Sequence, residues 1–411
     1  MRLDVLIVGI MFISLNLLIL NKIIKRRTRN DLTFIFSSWW VMWLLISFVN
    51  IGKFYPITMN TYIYILTGIL FVNMPFIFLK KNKLSIKKYG KMKKLKYFYF
   101  NEIIFFIINL YYIAKLFNLI DILNDYRIVR TVFFGIEDNG IKLFSNALYV
   151  YIYNFFKSLS IVSFLISLSL VFKRKKYILF LSSIINLTLF CFLSAGRDFI
   201  TYILIFLIFS FKTGVIKKSF KYIAVLLVPV LITTFLREGN LKKLGMIIVT
   251  YFSGSIAYFN EVMKQYGGKF YYGELFFSFL ISPLKYVLIV LKVSNNKGAM
   301  IEVGEKLMHF IQISSENTYS QVYNALATMF YWFYADLGYL GIILFSSLIG
   351  YIGLYIQRRV QKNYIEHMAL AAYFEYLMIM SIFSNKFMDI FSVFPLMVYL
   401  FLLKKERVNK R

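Results

Sequence analysis

Residues 177–194 read YILFLSSIINLTLFCFLS, a run with apolar residues on every side of a helix and no charge inside it. A β-barrel strand would be short and would alternate apolar with polar residues. A run of about 18 residues that is apolar all round is a helix, long enough to cross a ~30 Å hydrocarbon layer. On one side it is bounded by Lys173, Arg174, Lys175 and Lys176, and on the other by the corner Ser194-Ala195-Gly196-Arg197-Asp198. A basic flank, an apolar run and a short polar corner are the marks of a membrane span, and they recur along the chain.

Outward from this run, candidate spans cover 3–20, 32–51, 59–79, 97–119, 146–172, 177–194, 198–211, 220–236, 337–356, 365–384 and 389–403. Lipid offers backbone groups no water to bond, so apolar runs of this length are helices. The predicted fold class is all-α, a polytopic transmembrane helix bundle of about eleven spans forming a single integral membrane domain over 1–411. Composition agrees: 60% of the 411 residues are hydrophobic, 16% are charged, and mean hydropathy is +0.68. A soluble core of this length could not bury that much apolar surface. The first run, Leu3 to Leu20, has only Arg2 before it and no small-residue cleavage site after it, so it reads as a span rather than a signal peptide. The one cysteine, Cys191, excludes an internal disulfide framework and a cysteine-based metal site.

The formal net charge of +29 would suit nucleic acid if it formed one patch, but it is dispersed. Basic clusters follow the first run (Lys22, Lys25, Arg26, Arg27, Arg29) and the third (Lys80 to Lys96). They continue at Lys173 to Lys176, Lys212 to Lys221, Arg358 to Lys362 and Lys404 to Arg411. With the N-terminus outside, every one of these clusters falls in a cytoplasmic loop or tail. The expected topology is therefore N-out and C-in, with nucleic acid excluded as a partner and membrane lipid expected as one.

One stretch has no counterpart on the cytoplasmic side: the large extracytoplasmic loop over 237–319. Within it Leu244 to Phe259 and Leu275 to Leu291 are apolar and aromatic, and read as interfacial helices, re-entrant helices or an extra pair of spans. The last reading raises the span count to about thirteen. Between them Gln265-Tyr266-Gly267-Gly268-Lys269-Phe270-Tyr271-Tyr272-Gly273 reads as a turn flanked by aromatics.

No Walker-type phosphate loop, His-Glu-x-x-His or Gly-x-Ser-x-Gly occurs, which argues against an ATP-driven pump or a zinc protease. The candidates are ionisable residues at external helix ends, where a charge is costly without water, a partner or a ligand. Arg197 can bind a lipid-linked phosphate through its fork of donors, or pair with Asp198 to fix the corner. Arg237, followed by Glu238 and Gly239, can make a second anion contact or anchor a helix at the headgroups. Arg127 and Arg130 would share a helix face, for substrate or for solvent. Of the two histidines, His309 lies in the loop where a base would be useful, and His367 reads as structural. The acidic candidates are Glu238, Glu261, Glu274, Glu316 and Asp336, each with a structural alternative. No Asp-x-Asp pair is placed to hold a metal-nucleotide. The 45 Phe and 32 Tyr allow sugar stacking, although anchoring and lipid packing account for most of them.

Glu316-Asn317-Thr318-Tyr319 through Tyr334-Ala335-Asp336-Leu337-Gly338-Tyr339-Leu340-Gly341 resembles the region closing the external loop of bacterial O-antigen, capsular and exopolysaccharide repeat-unit polymerases. That family has an Asn-x-Tyr-Thr-like stretch, then Tyr-x-Asp-Phe-Gly-x-x-Gly entering a span. Here Leu337 replaces the aromatic and Ser320 follows Tyr319. The Leu193-Ser194-Ala195-Gly196-Arg197 corner is similar to the family's Ser/Gly-Arg corner. The resemblance implies a glycosyltransferase of the bacterial cytoplasmic membrane that needs no cofactor, metal or nucleotide. It would move a growing glycan from undecaprenyl pyrophosphate to an incoming lipid-linked repeat unit on the outer face. It implies leaving-group arginines, which Arg197 matches directly and Arg237 by location only. With the residues read above, the candidate catalytic set is Arg197, Arg237, His309 and Glu238, and the candidate substrate contacts are Arg127, Arg130, Asn317, Tyr319 and Asp336. A flippase and a chain-length regulator would be further partners. A ligase using another acceptor would share these features, whereas a flippase would place its charges along a central path between short loops.

Overall fold

Asn101, Glu102 and Asn109 are buried on one face of the helix Leu95–Leu119, while Phe100, Ile103, Ile107 and Phe117 on the other face are each more than half exposed. A helix in water shows the reverse arrangement. In lipid the exposed face is the apolar one, and polar side chains turn inward to find partners.

The computed structural model describes residues 32–78, 95–120, 128–135, 142–174, 177–196, 199–214, 244–290, 298–308, 311–314, 322–323, 327–362 and 364–408. The architecture is helical, and five of these helices are long and apolar enough to cross a membrane: Leu32–Val49, Met59–Ile77, Leu95–Leu119, Leu148–Val171 and Met329–Val360. Ile178–Leu193, Thr201–Thr213 and Ile390–Leu403 are apolar but shorter. Among the described residues the only strands are the antiparallel pair Ile311–Gln312 and Val322–Tyr323. The expected spans 3–20 and 220–236 lie outside the described residues. Within 237–319, the two apolar segments form helices Leu244–Tyr266 and Ser278–Val290, followed by the short amphipathic helix Ala299–Met308. The expected span 337–356 falls on the part of Met329–Val360 that follows a break at Leu337 and Gly338, and a helical segment from Met329, with Phe330, Trp332 and Phe333 buried, precedes it.

The chain divides into two compact units, one drawn from the described parts of 1–84, 242–361 and 377–393, the other from those of 85–241, 362–376 and 394–411. In the first, Met329–Val360 packs along Met59–Asn73 without side chains between them at two points. A Cβ on Gly68 would stand 2.1 Å from the Phe330 ring, and one on Gly350 would stand 2.4 Å from the Val72 carbonyl oxygen. Small residues at such crossings let backbones approach and replace the hydrophobic drive that lipid removes. Trp40, fully buried, donates to Ser381 Oγ at 3.3 Å, and the Met329 N–H donates to the Ser381 carbonyl at 2.8 Å.

In the second unit Leu95–Leu119, Ala147–Arg174 and Ile178–Leu193 pack together. Lys212 and Glu375 form an ion pair at 2.6 Å, each side chain 1% exposed. His367 is buried, its ring 5.3 Å from that of Tyr364.

Gly68→Val places branched carbon against the Phe330 ring and should cost about 1–3 kcal/mol by overpacking, read as a lower melting midpoint in detergent. Gly304→Ala, where an added Cβ meets nothing within 4 Å, should leave the midpoint unchanged or raise it. Equal midpoints for Gly68→Val and the unaltered protein would contradict the close crossing.

Candidate functional site

The helix Met329–Val360 is not continuous. Leu337 (φ −139°, ψ 22°) and Gly338 (φ 62°, ψ −146°) leave the helical region, and a φ of +62° is one that glycine adopts without strain. The break frees main-chain carbonyls one turn back. Ala335 O accepts the Tyr271 N–H at 3.2 Å, and Asp336 O accepts that of Tyr272 at 2.8 Å. The Asp336 carboxylate, with the residue 0% exposed, accepts N–H groups from Gly273 (2.8 Å) and Leu275 (3.1 Å) on Oδ1, and from Phe276 (2.8 Å) on Oδ2. The turn over 267–277 is thus clasped to the broken helix by charge-assisted hydrogen bonds, each worth roughly 1.5–3 kcal/mol. The geometry gives Asp336 a positioning role, with its side chain turned into the protein.

From that turn Glu274 reaches the next helix. Its Oε1 accepts the Ala299 N–H at 2.6 Å and pairs with Lys285, placing a carboxylate at the N-terminus of Ala299–Met308. Burial opposes its charge, but the Ala299 N–H and the Lys285 ammonium outweigh burial and hold the Glu274 carboxyl below its usual range. Tyr258, fully buried on Leu244–Tyr266, fastens the other end of Ala299–Met308 by donating to the Leu307 carbonyl at 2.7 Å.

These contacts frame an open depression. Met263 closes one side; Gly267, Lys269 and Tyr271 come from the turn, Val303 and Lys306 from Ala299–Met308, and Tyr331, Tyr334 and Ala335 from the segment before the helix break. Glu302 ties its polar wall together. Lys269 Nζ lies 2.7 and 2.8 Å from the two Glu302 oxygens, Lys306 Nζ lies 3.0 Å from Oε1, and the Tyr271 hydroxyl donates to Oε1 at 3.1 Å. Both ammoniums also stand over the Tyr271 ring, at 5.1 and 6.0 Å from its centroid. The aromatic wall continues from Tyr334, which stacks on Tyr64 at 5.1 Å, to Tyr339, whose ring is 5.7 Å from Tyr64.

The hydrogen bonds from Lys269 and then Lys306 hold the Glu302 carboxyl down at about 2. A carboxylate held that low is a poor base near neutral pH. Partial burial opposes the Lys306 charge, but Glu302 and Tyr271 overcome it and raise the ammonium above its usual value. Two lysines crosslinked by one carboxylate thus stand beside aromatic faces, so that cations, a carboxylate and rings meet in one place. Among the described residues no group of three or more His, Cys, Asp or Glu side chains is arranged to hold a metal ion.

The chain matches no protein-family profile, no curated protein and no solved structure. Its site therefore rests on its own geometry. Of the residues singled out in the sequence, Arg197, Arg237, Glu238, His309, Arg127, Asn317 and Tyr319 lie outside the described residues, as does Glu316. Arg130 is exposed on the helix Ile128–Phe134, its guanidinium 5.2 Å from the Phe134 ring centroid. Glu261 pairs with Lys264 at 2.7 Å. Sequence reading missed Glu302 and Lys306, although their i,i+4 spacing on an amphipathic decapeptide was a usable signal.

The Glu302 carboxyl is lower in the folded protein than its ordinary value of 4.5. Its contribution to docking is complete above that value and is lost as pH falls from about 4.5 towards about 2. Protection from hydrogen exchange across 299–308, taken relative to the intrinsic amide rate at each pH, should fall over that window, and Glu302→Gln should be less protected at neutral pH with the acid step removed. An acid step that persists in Glu302→Gln would assign it to another group.

Proposed function

We propose that this chain is a membrane-embedded, polyprenol-dependent glycosyltransferase that polymerises lipid-linked oligosaccharide repeat units on the outer face of a bacterial cytoplasmic membrane. The observation that carries the reading is where the Tyr334-Ala335-Asp336-Leu337-Gly338 motif lies. Tyr334 and Ala335 line the depression, Leu337 and Gly338 break the helix, and Asp336 clasps the turn that carries Lys269 and Tyr271. The segment that resembles the polymerase family therefore lines a depression in which lysines and tyrosine faces meet, a chemistry suited to a sugar phosphate.

The depression is the binding part of that activity. Its lysines attract phosphate oxygens and its tyrosine faces stack on sugar rings. In the transfer itself, the anomeric carbon of the growing glycan loses its bond to the pyrophosphate oxygen and gains one to a hydroxyl of the incoming unit. The hydroxyl proton passes to a base, and the leaving pyrophosphate is stabilised by cations. The residues proposed for that chemistry are Arg197 and Arg237 for the leaving group and His309 or Glu238 for the proton.

Movement of the same lipid-linked glycan across the bilayer is the second reading, favoured by the helix break within a membrane-length helix, since discontinuous helices recur at transport sites. Purified protein in liposomes, supplied with undecaprenyl-pyrophosphate repeat units, separates the two. Polymerase activity gives longer lipid-linked products. Lys269→Ala and Lys306→Ala should each raise KM about tenfold with kcat little changed, whereas Arg197→Ala should abolish joining at equal protein level. Translocation without joining would replace the polymerase reading, and joining only to a different acceptor would make the chain a ligase.

A further inference from the structure

A buried carboxyl in the second unit has no part in the glycan reading. Glu102 is 2% exposed and sits within the apolar helix Leu95–Leu119, roughly 10 Å from its start at 1.5 Å per residue. Its Oε2 accepts hydrogen bonds from Ser160 Oγ at 3.0 Å and Asn186 Nδ2 at 2.7 Å. Its Oε1 faces the Asn101 amide nitrogen at 3.5 Å, and the Ser163 hydroxyl also bears on the carboxyl. A relay leads away from it: Asn109 Nδ2 donates to Asn186 Oδ1 at 3.4 Å, and the Tyr153 hydroxyl donates to Asn109 Oδ1 at 2.7 Å.

Each of these partners is neutral. The described basic side chains on the three packed helices are engaged elsewhere: Lys157 holds its ammonium 3.8 Å from the Phe190 ring centroid, Lys115 donates to the Leu143 carbonyl, and Lys96 stands over the Tyr97 ring. The other buried titratable groups on those helices, Tyr112, Tyr153 and Cys191, are uncharged near neutral pH in their ordinary ranges. A carboxylate buried among apolar helices without a cation is costly, and the smallest neutralising ligand is a proton.

A second observation points to the same ligand. Asn101 is 7% exposed, and its Oδ1 is buried with no hydrogen-bond partner. An orphaned carbonyl oxygen on the amide that faces Oε1 is the acceptor a protonated carboxyl needs. A half-turn of that amide exchanges its nitrogen for its oxygen, two atoms of nearly the same size.

We propose that Glu102 is a proton-binding site inside the bundle, with Asn101 as its switch. In the ionised state the amide presents Nδ2 to Oε1. When a hydronium ion gives its proton to Oε1, water is released, the carboxyl becomes neutral, and Asn101 turns to accept the new O–H through Oδ1. Ser160 and Asn186 hold Oε2 in both states, and the Asn109–Tyr153 relay fixes Asn186. The inference does not rest on the glycan reading.

A lipid-soluble carbodiimide tests it in the full-length protein in bilayers. The reagent takes the proton of a neutral carboxyl onto nitrogen while the carboxyl oxygen bonds to its central carbon. The resulting O-acylisourea transfers its acyl group from oxygen to nitrogen, leaving a stable N-acylurea that peptide mass spectrometry locates. We expect labelling at Glu102, about tenfold faster or more near pH 6 than near pH 8, and none in Glu102→Gln. Asn101→Leu should slow the reaction severalfold at a given pH by removing the acceptor. Glu102→Gln mimics the protonated state, its amide nitrogen meeting Asn101 Oδ1, and should keep the parent melting midpoint. If that variant fails to fold, the pH profile of the unaltered protein still decides. Labelling only after unfolding, a rate indifferent to pH, or protection by sodium ions at constant pH would each overturn the proposal.

Discussion

The Asp336 carboxylate, gripping the main-chain N–H groups of Gly273, Leu275 and Phe276, is the contact on which the candidate site depends. It works only because the helix opens immediately after it, freeing the Ala335 and Asp336 carbonyls for Tyr271 and Tyr272. From there the order passes outward. The clasped turn aims Glu274 at the start of Ala299–Met308, that helix presents Glu302 and Lys306, and Glu302 draws in Lys269 from the same turn. Buried N–H groups left without an acceptor cost roughly 1–3 kcal/mol each, so this corner forms as a whole or not at all.

Chemistry divides along the same line. Glu274 and Glu302, held low by an N–H group and by lysines, are good supports and poor proton acceptors. The ammoniums of Lys269 and Lys306 are taken up by Glu302, and the Tyr271, Tyr331 and Tyr334 side chains line the depression beside them.

Much of the helical framework was legible in the sequence. Runs apolar on every side leave no ambiguity of period, so 97–119, 146–172 and 177–194 match their helices to within a few residues. The turn at Gln265 to Gly273 was legible from Gly267 and Gly268. The helical segment from Met329 to the break was not, since it lies between the expected loop and the expected span, although Tyr331 and Trp332 are buried. Asp336 stood out in the sequence as the carboxylate of the Tyr-x-Asp-x-Gly motif, but its three N–H partners lie some sixty residues earlier, and no local pattern encodes such a meeting. The Lys269–Glu302 pair was hidden for the same reason, whereas the Glu302–Lys306 spacing was in plain view.

The glycine crossings also constrain how the protein comes into being. Met59–Asn73 is synthesised long before Met329–Val360, the element whose backbone it touches at Gly68 and Gly350. At ordinary elongation rates the interval is on the order of tens of seconds. Throughout it the flat side of the early helix has no partner, and Thr67, which ends beside the Tyr339 hydroxyl at 3.0 Å, has no late-arriving group to bond. The nascent chain must therefore be sheltered by lipid or by the insertion machinery until its final third emerges. Biogenesis, more than the finished fold, is where this architecture is most exposed to error.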